Sequence, residues 1–279
     1  MRDNKLIQIN VDAVVKNRLP RHYRYIPRFL IKWLENIICQ KRLNELLAEL
    51  HGLYDAEFCR GLLKALNITY KIKNEENLPS PENKRFILVS NHPLGALDGV
   101  VMIDYLTQRY GGNVKFVVND LLMAVTPLSG VFVPINKHGR QSRKASTDID
   151  EAFASNDPVI VFPAGMCSRR QPDGSICDLE WKKMFVNKAV EYGRDVVPVF
   201  FEAQNSSFFY KFAKFRSRIG MKFNIEMILL PREMVNKQDA KFEMTIGTPI
   251  SYQSLKTGKQ AQQQAAEIKE IVYNLKNTK

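Results

Sequence analysis

The sequence predicts an α/β fold, a mostly parallel sheet flanked by helices, preceded by a basic amphipathic helical segment. Three observations predict it. Short apolar runs fit for buried strands alternate with helix-period segments over residues 85–201, and such alternation argues for a sheet built from parallel units. The chain has 279 residues, 45% hydrophobic and 25% charged, which is enough for a sizeable core and unlike a disordered or low-complexity chain. Its beginning differs from the rest. Lys16, Arg18, Arg21, Arg24, Arg28 and Lys32 occur with no acidic residue between Asp12 and Glu35.

Residues 1–73 read as helical. Phe29, Leu30, Trp33, Leu34, Ile37 and Ile38 recur at the spacing of one helical stripe, with Lys32, Glu35 and Asn36 off it. A second amphipathic run covers 43–66. The polar stretch 74–84, with Pro79 and Pro81, reads as a linker into a unit that occupies 74–279. In that unit Phe86-Ile-Leu-Val-Ser90 is strand-like and 99–110 helix-like. Residues 114–118 and 130–135 are extended, 146–154 helical, 159–162 a strand, 181–192 a helix and 196–201 a strand. Beyond them, 223–230 and 244–246 read as further strands, and 259–276 as a polar closing helix. Ligands of such sheets bind in loops beyond the strand carboxyl ends, and the unusual residues lie there.

Ser90-Asn91-His92-Pro93-Leu94-Gly95-Ala96-Leu97-Asp98-Gly99 leaves a strand and enters a helix. A carboxylate on one ring nitrogen of His92 would fix its tautomer and free the other nitrogen as a general base. In the competing reading, His92 caps the loop and Asp98 caps the helix. Cys39, Cys59, Cys167 and Cys177 form no CxxC pair, and His22, His51, His92 and His138 do not cluster with them. Neither a metal site nor a disulfide framework is expected, and a reducing compartment fits. No secretory signal or membrane-spanning stretch is expected.

The segment from Asn91 to Asp98 resembles the first sequence block of the glycerolipid acyltransferase family, the PlsC-type lysophospholipid acyltransferases. Three blocks follow in the family's order. Gly130-Val-Phe-Val-Pro-Ile-Asn-Lys137 resembles the second, Phe162-Pro-Ala-Gly-Met-Cys-Ser-Arg169 the third, and Val197-Pro198-Val199 the fourth. There are departures. The stretch between His92 and Asp98 is one residue longer than usual, and Ala164 stands where the third block has Glu. Met166 and Cys167 replace Thr and Arg, with Arg169 and Arg170 arriving later. Similar His-Pro-Leu-Gly and Phe-Pro-Ala-Gly variants mark bacterial enzymes that O-acylate amino-acid lipids, and the resemblance leans toward them.

The resemblance implies a PlsC-like fold and an O-acyltransferase that needs no cofactor or metal. Its acceptor would be a lysolipid, and its donor an acyl thioester of acyl carrier protein (acyl-ACP) or coenzyme A (acyl-CoA). His92 would be the base and Asp98 its orienting acid. Gly165 would let the backbone approach ligand, and Asn91 would hold either the loop or an oxyanion. Lys137, Arg140, Arg169 and Arg170 would meet phosphates of the carrier or an acidic headgroup, the alternative for each being a solvated face. A buried structural role suits Cys167 better than that of a nucleophile. Lysophosphatidic acid is the alternative acceptor.

The net charge of +12 favours anionic partners. The basic stripe with Phe29 and Trp33, and the run of Phe208, Phe209, Tyr210, Phe212 and Phe215 among Lys211, Lys214 and Arg216, suit an anionic membrane surface. Five aromatics in so short a loop are hard to bury, although packing against the α/β core competes for both segments. The expected location is peripheral, on the cytoplasmic face of the inner (plasma) membrane. No nucleic acid partner is expected, since no nucleic-acid-binding signature accompanies the charge. A basic nucleic-acid-binding protein, or a non-catalytic lipid-binding relative, is the different-class alternative.

Overall fold

The computed structural model describes residues 6–135, 143–221 and 224–277. Four helices come first: α1 (Val11–Arg18), α2 (Arg28–Ile37), α3 (Gln40–Glu49) and α4 (Asp55–Ala65). Asn10 caps α1, its side chain accepting from the Ala13 amide at 2.9 Å. The chain then alternates strand and helix through β1 (Thr69–Lys73), β2 (Phe86–Ser90), α5 (Leu97–Tyr110), β3 (Lys115–Asn119), β4 (Phe132–Ile135), α6 (Arg143–Ala154) and β5 (Val159–Val161). A small antiparallel hairpin, β6 (Arg169–Arg170) with β7 (Ile176–Cys177), leads to α7 (Met184–Tyr192) and β8 (Asp195–Glu202). Helices α8 (Ser207–Arg218) and α9 (Leu230–Val235), strand β9 (Lys241–Ile246) and α10 (Gln260–Asn274) complete the order.

Seven strands form one sheet in the order β1-β9-β8-β2-β5-β3-β4. Every neighbouring pair is parallel except β8 with β9. The central strands are apolar throughout because both faces are covered. In β2, Phe86 and Leu88 join a core with α3, α4 and α5, while Ile87 and Val89 point to a second core with α6, α7 and α10. The result is a three-layer α/β/α molecule whose β2, β5 and β8 end at the same side. Buried Arg194 ties the second layer to the sheet by donating to the carbonyls of Phe153, Ala152, Ser155, Asp157 and Phe86. Burial pulls its guanidinium down to about 10.

Three expectations are corrected. The segment read as helical ends in a strand: β1 pairs with β9 as an edge of the sheet. Its Thr-Tyr-Lys-Ile-Lys pattern turns alternate residues inward, as a half-covered strand requires. Residues 225–229 form a 3₁₀ turn that runs into α9 rather than a strand. Pro231 in the first turn of α9 favours a helix start, where its missing N–H costs nothing. The aromatic run at 208–215 is not a loop but helix α8, capped by Ser206, whose Oγ accepts from the Phe209 amide at 3.2 Å.

Candidate active site

Strand β2 delivers Asn91 and His92 to the end of the sheet, and α5 begins five residues later with Asp98 in its first turn. The two side chains meet. His92 Nδ1 lies 2.9 Å from Asp98 Oδ2. The longer intervening stretch is absorbed by a turn in which Gly95 takes φ +80°. There a Cβ would lie 2.9 Å from Leu230 Cδ1 and 3.2 Å from Cys167 Cβ, so only glycine fits. The turn also points the Leu94 and Gly95 amides at Asp98 Oδ2, at 2.9 and 3.3 Å.

Asp98 is fully buried, which by itself would raise its carboxyl. The charge and hydrogen bond of His92, with the Leu94 and Gly99 amides, outweigh that burial and hold it below the ordinary carboxylate value. An ionised carboxylate can only accept, so in the neutral ring Nδ1 carries the proton and Nε2 presents a lone pair. The ring is 15% exposed and stacks on Phe162, with centroids 4.0 Å apart and planes inclined by 18°. A dry, oriented imidazole with one free basic nitrogen can take a proton from a hydroxyl.

A second buried carboxylate, which the sequence reading missed, holds the same residue from its backbone side. Asp178 Oδ1 accepts from the His92 amide at 3.1 Å and from Ser168 Oγ at 2.6 Å, and Oδ2 accepts from Trp181 Nε1 at 2.9 Å. The Ser168 amide returns a bond to the His92 carbonyl at 2.8 Å. Burial raises the Asp178 carboxyl despite these donors. No motif announces Asp178. It is one of three acids in a short stretch, with Asp173 and Glu180, and nothing in the sequence sets it apart from them.

Two clefts flank the His92 loop. Toward β5, an apolar one of about 420 Å³ is lined by Phe162, Pro163, Gly165, Val117, Ile135 and Met184. Toward β8, a polar one of about 430 Å³ is lined by residues including Asn91, Pro93, Ser168 and Arg170. Gly165, at φ +62°, opens onto the first cleft with nothing within 4 Å of where a Cβ would stand.

Several expected site residues are placed differently. Both ends of the Asn91 amide are engaged by Phe201, Oδ1 accepting from its amide at 2.7 Å and Nδ2 donating to its carbonyl at 3.0 Å. Asn91 therefore fastens the loop to β8, with both ends of its amide already engaged. Arg169 is turned into the interior, where it donates to the Cys167 carbonyl at 2.7 Å and to Glu226 Oε1 at 2.9 Å. Arg170 is exposed beside the polar cleft, its guanidinium 5.9 Å from the Tyr210 ring centroid. Cys167 is wholly buried and burial raises its thiol, as suits a structural residue. Lys137 and Arg140 lie outside the described residues.

The membrane-contact set divides. Phe209 and Tyr210 are buried in a small core with Cys167, Leu229 and Leu230, which corrects the expectation that they face lipid. A helix has an inner face to hide them, as a loop would not. Phe208 and Phe215 sit on the outer face, 49% and 59% exposed, and Phe212 is half-buried against Phe208. On α2, Phe29 is 73% and Trp33 52% exposed. Among the described residues no helix is long and apolar enough to cross a membrane.

The model of the family described as Acyltransferase matches residues 13–279. A lyso-glycine lipid O-acyltransferase of Phocaeicola vulgatus is 42% identical over 275 residues, covering 99% of this chain and 98% of that protein. Another of that name, from Bacteroides thetaiotaomicron, is 41% identical over 99% of this chain and its own whole length. The crystal structure of the 1-acyl-sn-glycerophosphate (LPA) acyltransferase PlsC from Thermotoga maritima is similar over 95% of this chain and 92% of its own, with a TM-score of 0.47 and 18% identity. With the family model spanning nearly all of the sequence, and relatives this alike from end to end, the chain belongs to the acyltransferase family.

Proposed function

We propose that this acyltransferase moves a fatty acyl group from an acyl thioester, carried by acyl carrier protein or coenzyme A, to the hydroxyl of a lysolipid built on an amino acid. Lyso-glycine lipid is the acceptor named for both relatives. The observation that carries the reading is the 2.9 Å bond between His92 and Asp98 at the end of the central strand. His92 Nε2 takes the proton from the acceptor hydroxyl. The oxygen attacks the thioester carbonyl, and the tetrahedral adduct collapses with loss of the thiolate. The imidazolium, stabilised by Asp98, returns the proton to that thiolate, so base and acid are one residue and no acyl-enzyme is needed.

The apolar cleft beside Phe162 suits an acyl chain, whose burial is favoured in proportion to its area. A lysophosphatidic acid acceptor is not favoured, since Arg169, expected to meet its phosphate, is committed to Glu226. The enzyme works as a peripheral protein on the cytoplasmic face of the inner (plasma) membrane, resting on the exposed aromatics of α2 and α8.

Radiolabelled acyl thioester and lyso-glycine lipid, incubated with the purified chain, test this directly. Label should pass to the lysolipid, and His92→Ala should lower turnover by ~10²–10⁴ in protein that circular dichroism shows still folded at the assay temperature, although the loss of the partner of buried Asp98 lowers its melting temperature. Undiminished turnover in the variant would remove His92 as the base.

A further inference from the structure

The proposed reaction uses the imidazole and the apolar cleft, and it leaves the polar cleft unassigned. That cleft opens on the β8 side of the loop carrying His92, across β2 from the apolar one. It is lined by Asn91, Pro93 and Ser168, which all belong to the framework of the catalytic loop, and by three charged residues from three elements: Arg170 of β6, Glu202 of β8 and Lys276 just past α10. All three charged residues are exposed, and among the described residues none of them forms an ion pair. Arg169, one residue earlier, is consumed by Glu226, so Arg170, directly after the third block, is the arginine without an ion pair there.

Two cations and one anion leave the cleft a single positive charge in excess. That balance suits a monoanion. A phosphate monoester, near two negative charges at neutral pH, would be under-compensated and would face the Glu202 carboxylate. A carboxylate has one charge and a planar pair of oxygens that Arg170 can meet with two parallel N–H bonds. Resting on the lysolipid reading above, we propose that the polar cleft is the acceptor's headgroup subsite, taking one carboxylate between Arg170 and Lys276, with Glu202 excluding dianionic phosphate headgroups. The acceptor then straddles the loop, headgroup on the β8 side and hydroxyl at His92.

Three acceptors with the same acyl chain and free hydroxyl read this out: one with a carboxylate headgroup, its primary amide, and lysophosphatidic acid. Arg170→Ala and Lys276→Ala should raise KM for the carboxylate acceptor about tenfold, the effect of losing a charge-assisted hydrogen bond, with kcat within about twofold. Neither should move KM for the amide. Glu202→Gln should shift selectivity toward lysophosphatidic acid by about tenfold, on the same scale. Equilibrium dialysis of the labelled carboxylate lysolipid provides a readout independent of turnover. Weakened binding in Arg170→Ala and Lys276→Ala supports the subsite even if no acyl group is transferred, an outcome that would sink only the reaction. Transfer with unchanged KM and unchanged dialysis, or an equal loss for the amide, overturns the subsite and leaves the reaction standing. Unaltered selectivity in Glu202→Gln removes the exclusion of phosphate.

Discussion

Two buried carboxylates bond to one residue, His92, and although burial raises both, their carboxyls are shifted in opposite directions. Asp98 faces the ring and is held low by it. Asp178 faces the backbone, has only neutral donors, and is pushed up. Their contributions to stability therefore run in opposite directions with pH. Asp98 stabilises the fold above the ordinary carboxylate value and loses that contribution as pH falls through its lowered value. Asp178 contributes below the ordinary value and loses that contribution as pH rises through its raised one. Asp178→Asn, which does not titrate, should gain melting temperature on the wild type between mildly acidic and neutral pH. At neutral pH its kcat should still fall about tenfold, since a loosened loop misplaces the imidazole. Thermal melts across that range, with turnover at each pH, check both parts. A deficit in melting temperature that is constant with pH would mean that Asp178 acts through hydrogen bonds alone.

Among the elements, α8 shows how a polar contact fixes an amphipathic helix. Arg216 on α8 donates to Glu226 through Nε at 3.0 Å and Nη2 at 3.1 Å, and Arg169 of the hairpin reaches the same carboxylate. Glu226 is fully buried. Glu226→Ala leaves two guanidiniums facing each other without their shared anion, and should cost about 3–5 kcal/mol in urea unfolding. Removing Arg216 alone should cost less, because Arg169 still satisfies the carboxylate.

This element also marks where the sequence was legible and where it was not. The run at 86–90 and the residues that turn into α5 could be read because hydrophobic pattern and loop chemistry are local. The His92–Asp98 pairing was readable too, being a contact across one turn. Arg169 and Arg170 could not be told apart. Which one is buried and which exposed depends on Glu226, more than fifty residues away, and on the two-residue period of a hairpin too short to read. Phe209 and Phe208 differ only in which side of α8 they occupy, and a segment read as a loop has no sides. Asp178 was invisible because its partners come from β2, the third block and Trp181, and nothing in its own neighbourhood required an acid.

For the molecule as a whole, the question is where the charge and the uncovered aromatics stand relative to the clefts. Ile37 at the end of α2 and Phe212 of α8 pack on the same small core, which also contains Cys167 of the loop bonded to His92 through Ser168. The exposed Phe29 and Trp33 of α2 and Phe208 and Phe215 of α8 thus belong to two helices joined at one point beside the active site. Around α2 stand Arg21, Arg24, Arg28 and Lys32. A lipid acceptor enters most readily if those rings sit among headgroups while the cations meet acidic lipid. Replacing Phe29 and Trp33 together by Ser removes two large apolar groups that the fold does not use for its core. Each is worth roughly 1.5–3 kcal/mol of burial, so even partial insertion predicts at least a tenfold loss of sedimentation with anionic vesicles at unchanged melting temperature. Added salt should weaken the wild type on anionic vesicles but barely alter what little binding occurs on neutral ones, because screening reaches only the charged contribution. Phe209→Ser is the contrasting variant: its ring is interior, so it should lower the melting temperature first. Equal sedimentation of the α2 double variant and the wild type would assign those rings to some other contact than lipid.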